Sequence, residues 1–410
     1  MSKNAPLDNS KRIYLDHAAA APLDERVQRA MLPYLDAAYG NPSSLHESGR
    51  RAAAALMNAR ERVAAVLGAK PEEIIFTGSG TESDNLAILG AARAARSVGK
   101  HVMVSAIEHK AVLESAHALA AEGFDVETIS VDRDGLVDVD YVLERIRPDT
   151  TLISVMYANN EIGTVEPTAE LAAALARTRG GNRFPLLHTD ACQAAGYLPL
   201  NVDELGIDFM TLNGSKIYGP RGVGILYARS GTTLTPVVHG GEQERGLRSG
   251  TENLAAIVGF AEALEIAERE RVEESARLTK LRDELIQRFL RDIPNATLNG
   301  HAEKRLPNSI SITVPLIEGE SMLLMLDALG IEASTGSACS SSDLTPSHVL
   351  LATGIDPDSA HGSLRFTLGR ETTREDIDRV ARTLPGIVEK LMRITALTAN
   401  AAAQLPTKKS

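Results

Sequence analysis

The sequence predicts an α/β protein: a large domain on a mainly parallel sheet, joined to a smaller α+β domain. Three observations predict it. Short apolar runs of strand length alternate with longer amphipathic runs as far as residue 227, the pattern of strands covered on both faces by helices. Gly68, Gly99 and Gly123 each follow a helical run, where a left-handed C-terminal cap favours glycine. Near residue 255 the character changes to long, charged amphipathic stretches with few strand-like runs.

Taken in order, the candidate strands are 13–16, 73–77, 101–105, 126–131, 152–157, 186–189, 209–212 and 223–227, and the helices among them include 45–67, 82–96 and 110–121. After them come two charged helical stretches, 254–269 and 273–291, a strand at 309–314, a helix at 320–329, a strand at 363–367 and a helix at 374–391. The expected division is a large domain over 18–258 and a small one made of 1–17 with 259–400, with 401–410 a disordered tail. The last fifteen residues, ALTANAAAQLPTKKS, are small and polar and are expected to fray.

Composition narrows the function. The chain has 410 residues, 43% hydrophobic and 24% charged, enough for a substantial core. Lys plus Arg is 43 and Asp plus Glu is 54, a net charge of −11, which argues against a nucleic-acid partner. Only two cysteines are present, Cys192 and Cys339. They make neither a disulfide scaffold nor a four-cysteine metal site, and no metal is expected. A reducing, cytoplasmic setting is the default. No apolar run reaches the roughly 18 residues that span a bilayer, and MSKNAPLDNS lacks the apolar stretch of a signal peptide. No membrane partner is expected.

Three segments carry chemistry. The strand at 73–77 runs into GSGTESDN, residues 78–85, and then a helix. Gly78 and Gly80 permit a tight turn, free N–H groups at the helix start suit an anion, and Ser79 and Thr81 add hydroxyls. Many ordinary strand–helix turns share this composition. In HTDACQA, residues 188–194, Asp190 ends a strongly apolar strand. A carboxylate there must be paired, with helix-capping donors or with a protonated ring nitrogen. In LNGSKIYGPRGVGILY, residues 212–227, Lys216 stands just past a strand between Gly214 and Gly219. Lysines are usually solvated, but an amine so placed can form a Schiff base with an aldehyde. A phosphate cup, a carboxylate and a lysine together are the requirements of pyridoxal 5′-phosphate.

With these come further motifs: YGNPSSLH, FTGSGTESDN, EHKAVL, ANNEIGTVEP, GSKIYGPRGVG, HGGEQERGLRSGTEN, STGSACSSS and SLRFTLGR. From residue 13 to residue 391 the chain resembles the cysteine desulfurases, the NifS/IscS-type branch (group I) of the class V aminotransferase family. The resemblance implies fold type I of the pyridoxal phosphate-dependent transferases, with a mainly parallel seven-stranded sheet in the large domain. It implies that Lys216 holds the cofactor, Asp190 pairs with its ring nitrogen, and Gln193 bonds the ring hydroxyl. His109 would stack on the ring and move protons. Gly80, Thr81 and Ser215 would hold the phosphate, with Asn213 beside them, and Thr251 would reach the phosphate of a neighbouring subunit's cofactor, making a homodimer. Asn160, next to the cofactor, and Arg365 would bind the substrate carboxylate, with Asn41 nearby. Cys339 would be the nucleophile.

The implied reaction converts L-cysteine to L-alanine. Lys216 or His109 removes the α-proton, the Cys339 thiolate takes sulfur as a persulfide, and a thiol or an acceptor protein of iron–sulfur cluster assembly or other sulfur trafficking receives it. Selenocysteine lyases, other β-lyases and aminotransferases share the scaffold, as would a non-catalytic sulfur carrier. Cys192 reads as a small buried residue, and Asn159 and Asn160 as candidate turn residues. The segment around Cys339 is rich in Gly and Ser and carries no Lys or Arg within ten positions. Its thiol is therefore expected to be ionised with help from His109 or the cofactor adduct rather than from the segment itself.

The chain departs from the family pattern at Ser215, where that branch commonly has histidine. Alanines at 18–21 stand where threonines are frequent, and the tail does not resemble the segment some relatives use to dock a scaffold.

Overall fold

The computed structural model describes residues 12–336 and 345–403, the last nine of these as backbone only. The segment carrying Cys339 therefore lies outside the described residues. Twelve strands are present among them: β1 Ile13–Tyr14, β2 Ile74–Thr77, β3 His101–Ser105, β4 Asp125–Ile129, β5 Thr150–Ser154, β6 Leu186–Asp190, β7 Phe209–Asn213, β8 Gly224–Ala228, β9 Thr297–Leu298, β10 Ser309–Thr313, β11 Ile331–Glu332 and β12 Ser363–Thr367.

The large sheet has seven strands in the order β2-β8-β7-β6-β5-β3-β4. β8 runs antiparallel to both neighbours; the pairings from β7 through β4 are parallel. Alternate residues feed two cores. Phe76, Met103, Ile153, Leu187, Met210 and Ile225 face one side, and Ile75, Val102, Leu152, Leu186, Phe209 and Leu226 face the other. Burial on both faces is why these strands read as continuous apolar runs. Seven of the eight expected early strands form this sheet. The first, shortened to two residues, pairs with β11 instead.

The smaller lobe holds the antiparallel sheet β12-β10-β9, and its core includes Ile13 and Leu15 from the start of the chain. Several elements differ from expectation. The stretches 254–269 and 273–291 form one helix, Leu254–Asp292. The linking sequence, residues 268–275 (ERERVEES), contains neither Gly nor Pro, and the pairs Arg271–Glu268 and Arg277–Glu274 at helical spacing support it. Residues 254–267 of this helix pack into the large core and 278–289 into the small one. The helix expected at 82–96 starts at Gly80 and widens into a π-helical turn at Leu86–Gly90. The final helix, Arg374–Ala403, continues well past residue 391. The two-residue strands β9 and β11 are too short to show in the sequence. Among the described residues no helix is long and apolar enough to cross a membrane.

Candidate active site

The strand ends Thr77, Asp190 and Asn213 belong to β2, β6 and β7, and the turns carrying Gly80, Thr81, Gln193, Ser215 and Lys216 follow directly after them, where α/β sheets place ligands. After β2 the chain turns through Gly78 and Ser79. Ser79 Oγ accepts from Glu82 N at 3.1 Å, Glu82 Oε2 accepts from Gly78 N at 2.9 Å, and Arg248 Nε donates to Glu82 Oε1 at 2.7 Å. This reciprocal cap fixes the helix start. A Cβ at Gly80 would lie 2.9 Å from Cys192 Sγ and 3.3 Å from Asn213 Cβ. The turn is thus pressed onto the ends of β6 and β7, leaving room for a backbone but not a side chain.

Lys216 ends a one-turn helix, Gly214–Lys216. Asn213 Oδ1 caps it, accepting from Ser215 N at 2.8 Å and Ser215 Oγ at 3.0 Å. Lys216 Nζ donates to the Ala19 carbonyl. Gln193 Nε2 donates to Ala18 O at 3.0 Å, and Ala21 N donates to Ser215 O at 2.8 Å. The alanine run therefore closes the site with its backbone, so the loss of threonine hydroxyls removes none of these contacts.

Asp190 is buried, and its Oδ1 accepts from Cys192 N at 2.9 Å. His109 caps the helix Lys110–Ala121, with Nδ1 accepting from Ala111 N at 3.1 Å. In the neutral ring this leaves the proton on Nε2. Asp84, His109 and Asp190 bring ligand-type atoms within 4.8 Å of one another. Such a cluster suits a positive charge. Burial and then the charge of Asp190 push the Asp84 carboxyl well above the usual range. The same causes raise Glu108, next to His109. Burial holds His188 down at about 4, so its ring is neutral. The Cys192 thiol is raised by burial and by Asp190, which keeps it protonated and unreactive.

Arg365 lies buried on β12. Nη1 donates to the carbonyls of Asn160 and Gly336, both at 2.9 Å, and Nη2 donates to Asp16 Oδ1 at 2.8 Å. Its Nε is buried with no hydrogen-bond partner. Asn159 is the turn residue: Oδ1 accepts from Glu161 N and Ile162 N, and Nδ2 donates to Ile107 O. That turn sets Asn160 beside Arg365. Asn41 lies exposed, its Oδ1 accepting from Ser43 N. Thr251 is exposed on a cleft of about 160 Å³ shared with Gly78 and Arg248. Thr81 and His109 line a second cleft of about 340 Å³.

The residues present fit pyridoxal 5′-phosphate: a glycine turn opening a helix, a lysine, a histidine and a buried carboxylate with a second, unpartnered carboxyl oxygen near it. Sequence reasoning missed Asp16, Asp84, Glu108 and His188. The available signals were local. Asp84 follows Gly80 by one helical turn, His188 shares a strand face with Asp190, and Glu108 adjoins His109.

Residues 13–380 match the family described as Aminotransferase class-V. A curated relative, cysteine desulfurase IscS of Dictyoglomus turgidum, is 49% identical over 386 residues, covering 94% of this chain and 96% of the relative. Cysteine desulfurase IscS of Methanosarcina thermophila is 48% identical, with 97% and 96% covered. Among solved structures, a NifS-like protein superposes with a TM-score of 0.86 at 36% identity, covering 93% of this chain and all of that one. One described as "SspA in complex with cysteine" gives 0.76 at 34%, with 87% and 98% covered. Fold, site residues and near-full-length likeness agree: the chain belongs to the class-V aminotransferases, and among them it is a pyridoxal phosphate-dependent cysteine desulfurase.

Proposed function

We propose that the gathered residues divide the desulfurase reaction as follows. When bound, the cofactor draws electrons away from the substrate α-carbon, which labilises the β-carbon–sulfur bond. Lys216 holds it covalently through Nζ, and the Asp190 carboxylate faces its ring nitrogen. Gln193 faces the ring hydroxyl and His109 covers the ring. Gly80, Thr81 and Ser215 take the phosphate, and Asn213 orients Ser215. Arg365 and Asn160 bind the carboxylate of L-cysteine, and the unpartnered Nε of Arg365 is the donor still to be satisfied. Lys216 or the Nε2 side of His109 moves the α-proton. The Cys339 thiolate attacks the substrate sulfur, the carbon–sulfur bond breaks, and its electron pair leaves with the carbon that becomes alanine's methyl. Sulfur remains on Cys339 as a persulfide and passes to an acceptor thiol or protein.

One observation carries the assignment of sulfur transfer. The arginine read as the carboxylate ligand also holds Gly336, three residues before Cys339 in the sequence. After that segment Ser347 Oγ donates to Glu161, and His348 Nε2 meets the Glu108 carbonyl at 2.9 Å, next to His109. Both flanks of the cysteine segment are thus tied to the site. SspA, a similar protein, was solved with cysteine, which supports cysteine as substrate here. Leu35, Tyr39 and Leu45, flanking Asn41, are 65%, 81% and 91% exposed. Exposed apolar side chains of this kind support a homodimer that brings Thr251 and Asn41 to a neighbouring site. A reactive thiol supports a reducing, cytoplasmic setting.

Cys339→Ser should abolish alanine and sulfide formation from cysteine while the visible absorbance of the bound cofactor stays. Full turnover in that variant would refute Cys339 as the nucleophile. Transamination of a keto acid in place of desulfuration would place the site among the aminotransferases.

A further inference from the structure

Behind Asp190 lies a chain of buried polar groups that the reaction above does not use. Asp84 is 1% exposed, and its Oδ1 has no hydrogen-bond partner. It lies one turn along the helix from Gly80 and within 4.8 Å of Asp190 and His109. His188 Nε2 stands 3.6 Å from Asp84 Oδ1 and 3.1 Å from Thr211 Oγ1, and Nδ1 meets Ser154 Oγ at 2.9 Å. Ser154 Oγ in turn donates to Glu108 Oε1 at 3.3 Å. Two buried carboxyls within 4.8 Å of one another do not both ionise readily. A neutral acid can instead give a hydrogen bond to its ionised neighbour.

We propose that Asp84 and Asp190 form a carboxyl pair sharing one proton, in which Asp84 is a positioning residue that donates toward Asp190 and keeps it anionic for the cofactor nitrogen. Thr211 and the neutral His188 hold Asp84 in place. The other groups facing the pair are Glu108, His109, Cys192 and Lys216. Burial and then the charge of Asp190 push the Asp84 and Glu108 carboxyls above the usual range, and Lys216 stands on the cofactor side. Asp84 has this role only if Asp190 faces the ring nitrogen, as read above.

The test compares Asp84→Asn, Asp84→Ala and Asp190→Asn in the full chain, reading the dissociation constant for pyridoxal 5′-phosphate and the absorbance maximum of the bound form. An amide can donate as a protonated carboxyl does, so Asp84→Asn should bind within about threefold of the unchanged protein, with the same maximum. Asp84→Ala should bind at least about tenfold more weakly, with a shifted maximum. Should that variant not fold, the similarly sized Asp84→Val replaces it. Equal losses in the Asn and Ala variants, or no loss in either, would overturn the pair. Asp190→Asn should lose the cofactor; normal binding there would refute the nitrogen assignment itself.

Discussion

Arg365 illustrates how much one side chain can hold. Its guanidinium is buried, carries Asp16 on one nitrogen and two carbonyls on another, and keeps Nε unpartnered. A planar fork can serve all these sites at once; an ammonium cannot. Arg365→Lys should therefore raise KM for cysteine at least about tenfold and leave the cofactor spectrum unchanged. A steady-state titration beside an absorbance scan checks both. The residues legible in the sequence were those with distinctive company: Lys216 between glycines, Asp190 ending an apolar strand, His109 before a helix. Asp84 was hidden because TESD reads as the acidic first turn of a helix, where such residues are common on solvated surfaces. Only its burial against Asp190 separates the two meanings. Ser215 shows a related limit. Its hydroxyl reads as a phosphate donor, yet here it donates to Asn213 Oδ1, so it must turn to serve a phosphate.

At the scale of elements, the strands of the large sheet were readable because burial on two faces demands unbroken apolar runs. The helix Leu254–Asp292 was not read as one piece. Its apolar face serves two cores in succession, so its pattern lapses between Ala267 and Leu278, and the lapse resembles a boundary. Val272 lies in that lapse and is 71% exposed. Val272→Pro removes no buried contact there and tests continuity alone. It should cost about 3 kcal/mol in urea denaturation, with Val272→Ala close to neutral. A proline variant of unchanged stability would show that the lapse bears no load. The π-helical turn at Leu86–Gly90 had no sequence signal, since its residues are as compatible with an ordinary helix.

The whole molecule stores protons in unusual places. Glu166 is buried, with Oε2 accepting from Val137 N and Oε1 unpartnered. Burial pushes its carboxyl up to about 8 from an ordinary 4.5. The folded chain thus keeps a proton that the unfolded chain releases, and stability falls as pH rises from 4.5 through about 8. His17 and His188, held at about 4 by burial, act oppositely: the unfolded chain takes up protons there below about 6.5, so acid destabilises. Between pH 6.5 and 8 the carboxyl dominates over these histidines. Glu166→Gln should remove about 1.4 kcal/mol per pH unit of the alkaline decline in that window, measured as urea midpoints across pH. An unchanged slope would place the proton elsewhere. The sequence could not show this, because Glu166 in NEIGTVEP sits among turn residues and gives no sign of depth.

The helix that enters both cores has a consequence for recombining this chain with its relatives. A chimera joined anywhere between Leu254 and Asp292 would cut a beam, about 58 Å long at helical rise, on which both lobes are built. The cofactor lobe and the Arg365 lobe are therefore not interchangeable modules. Exchanges that preserve folding must carry that helix whole, together with the faces it fills on either side.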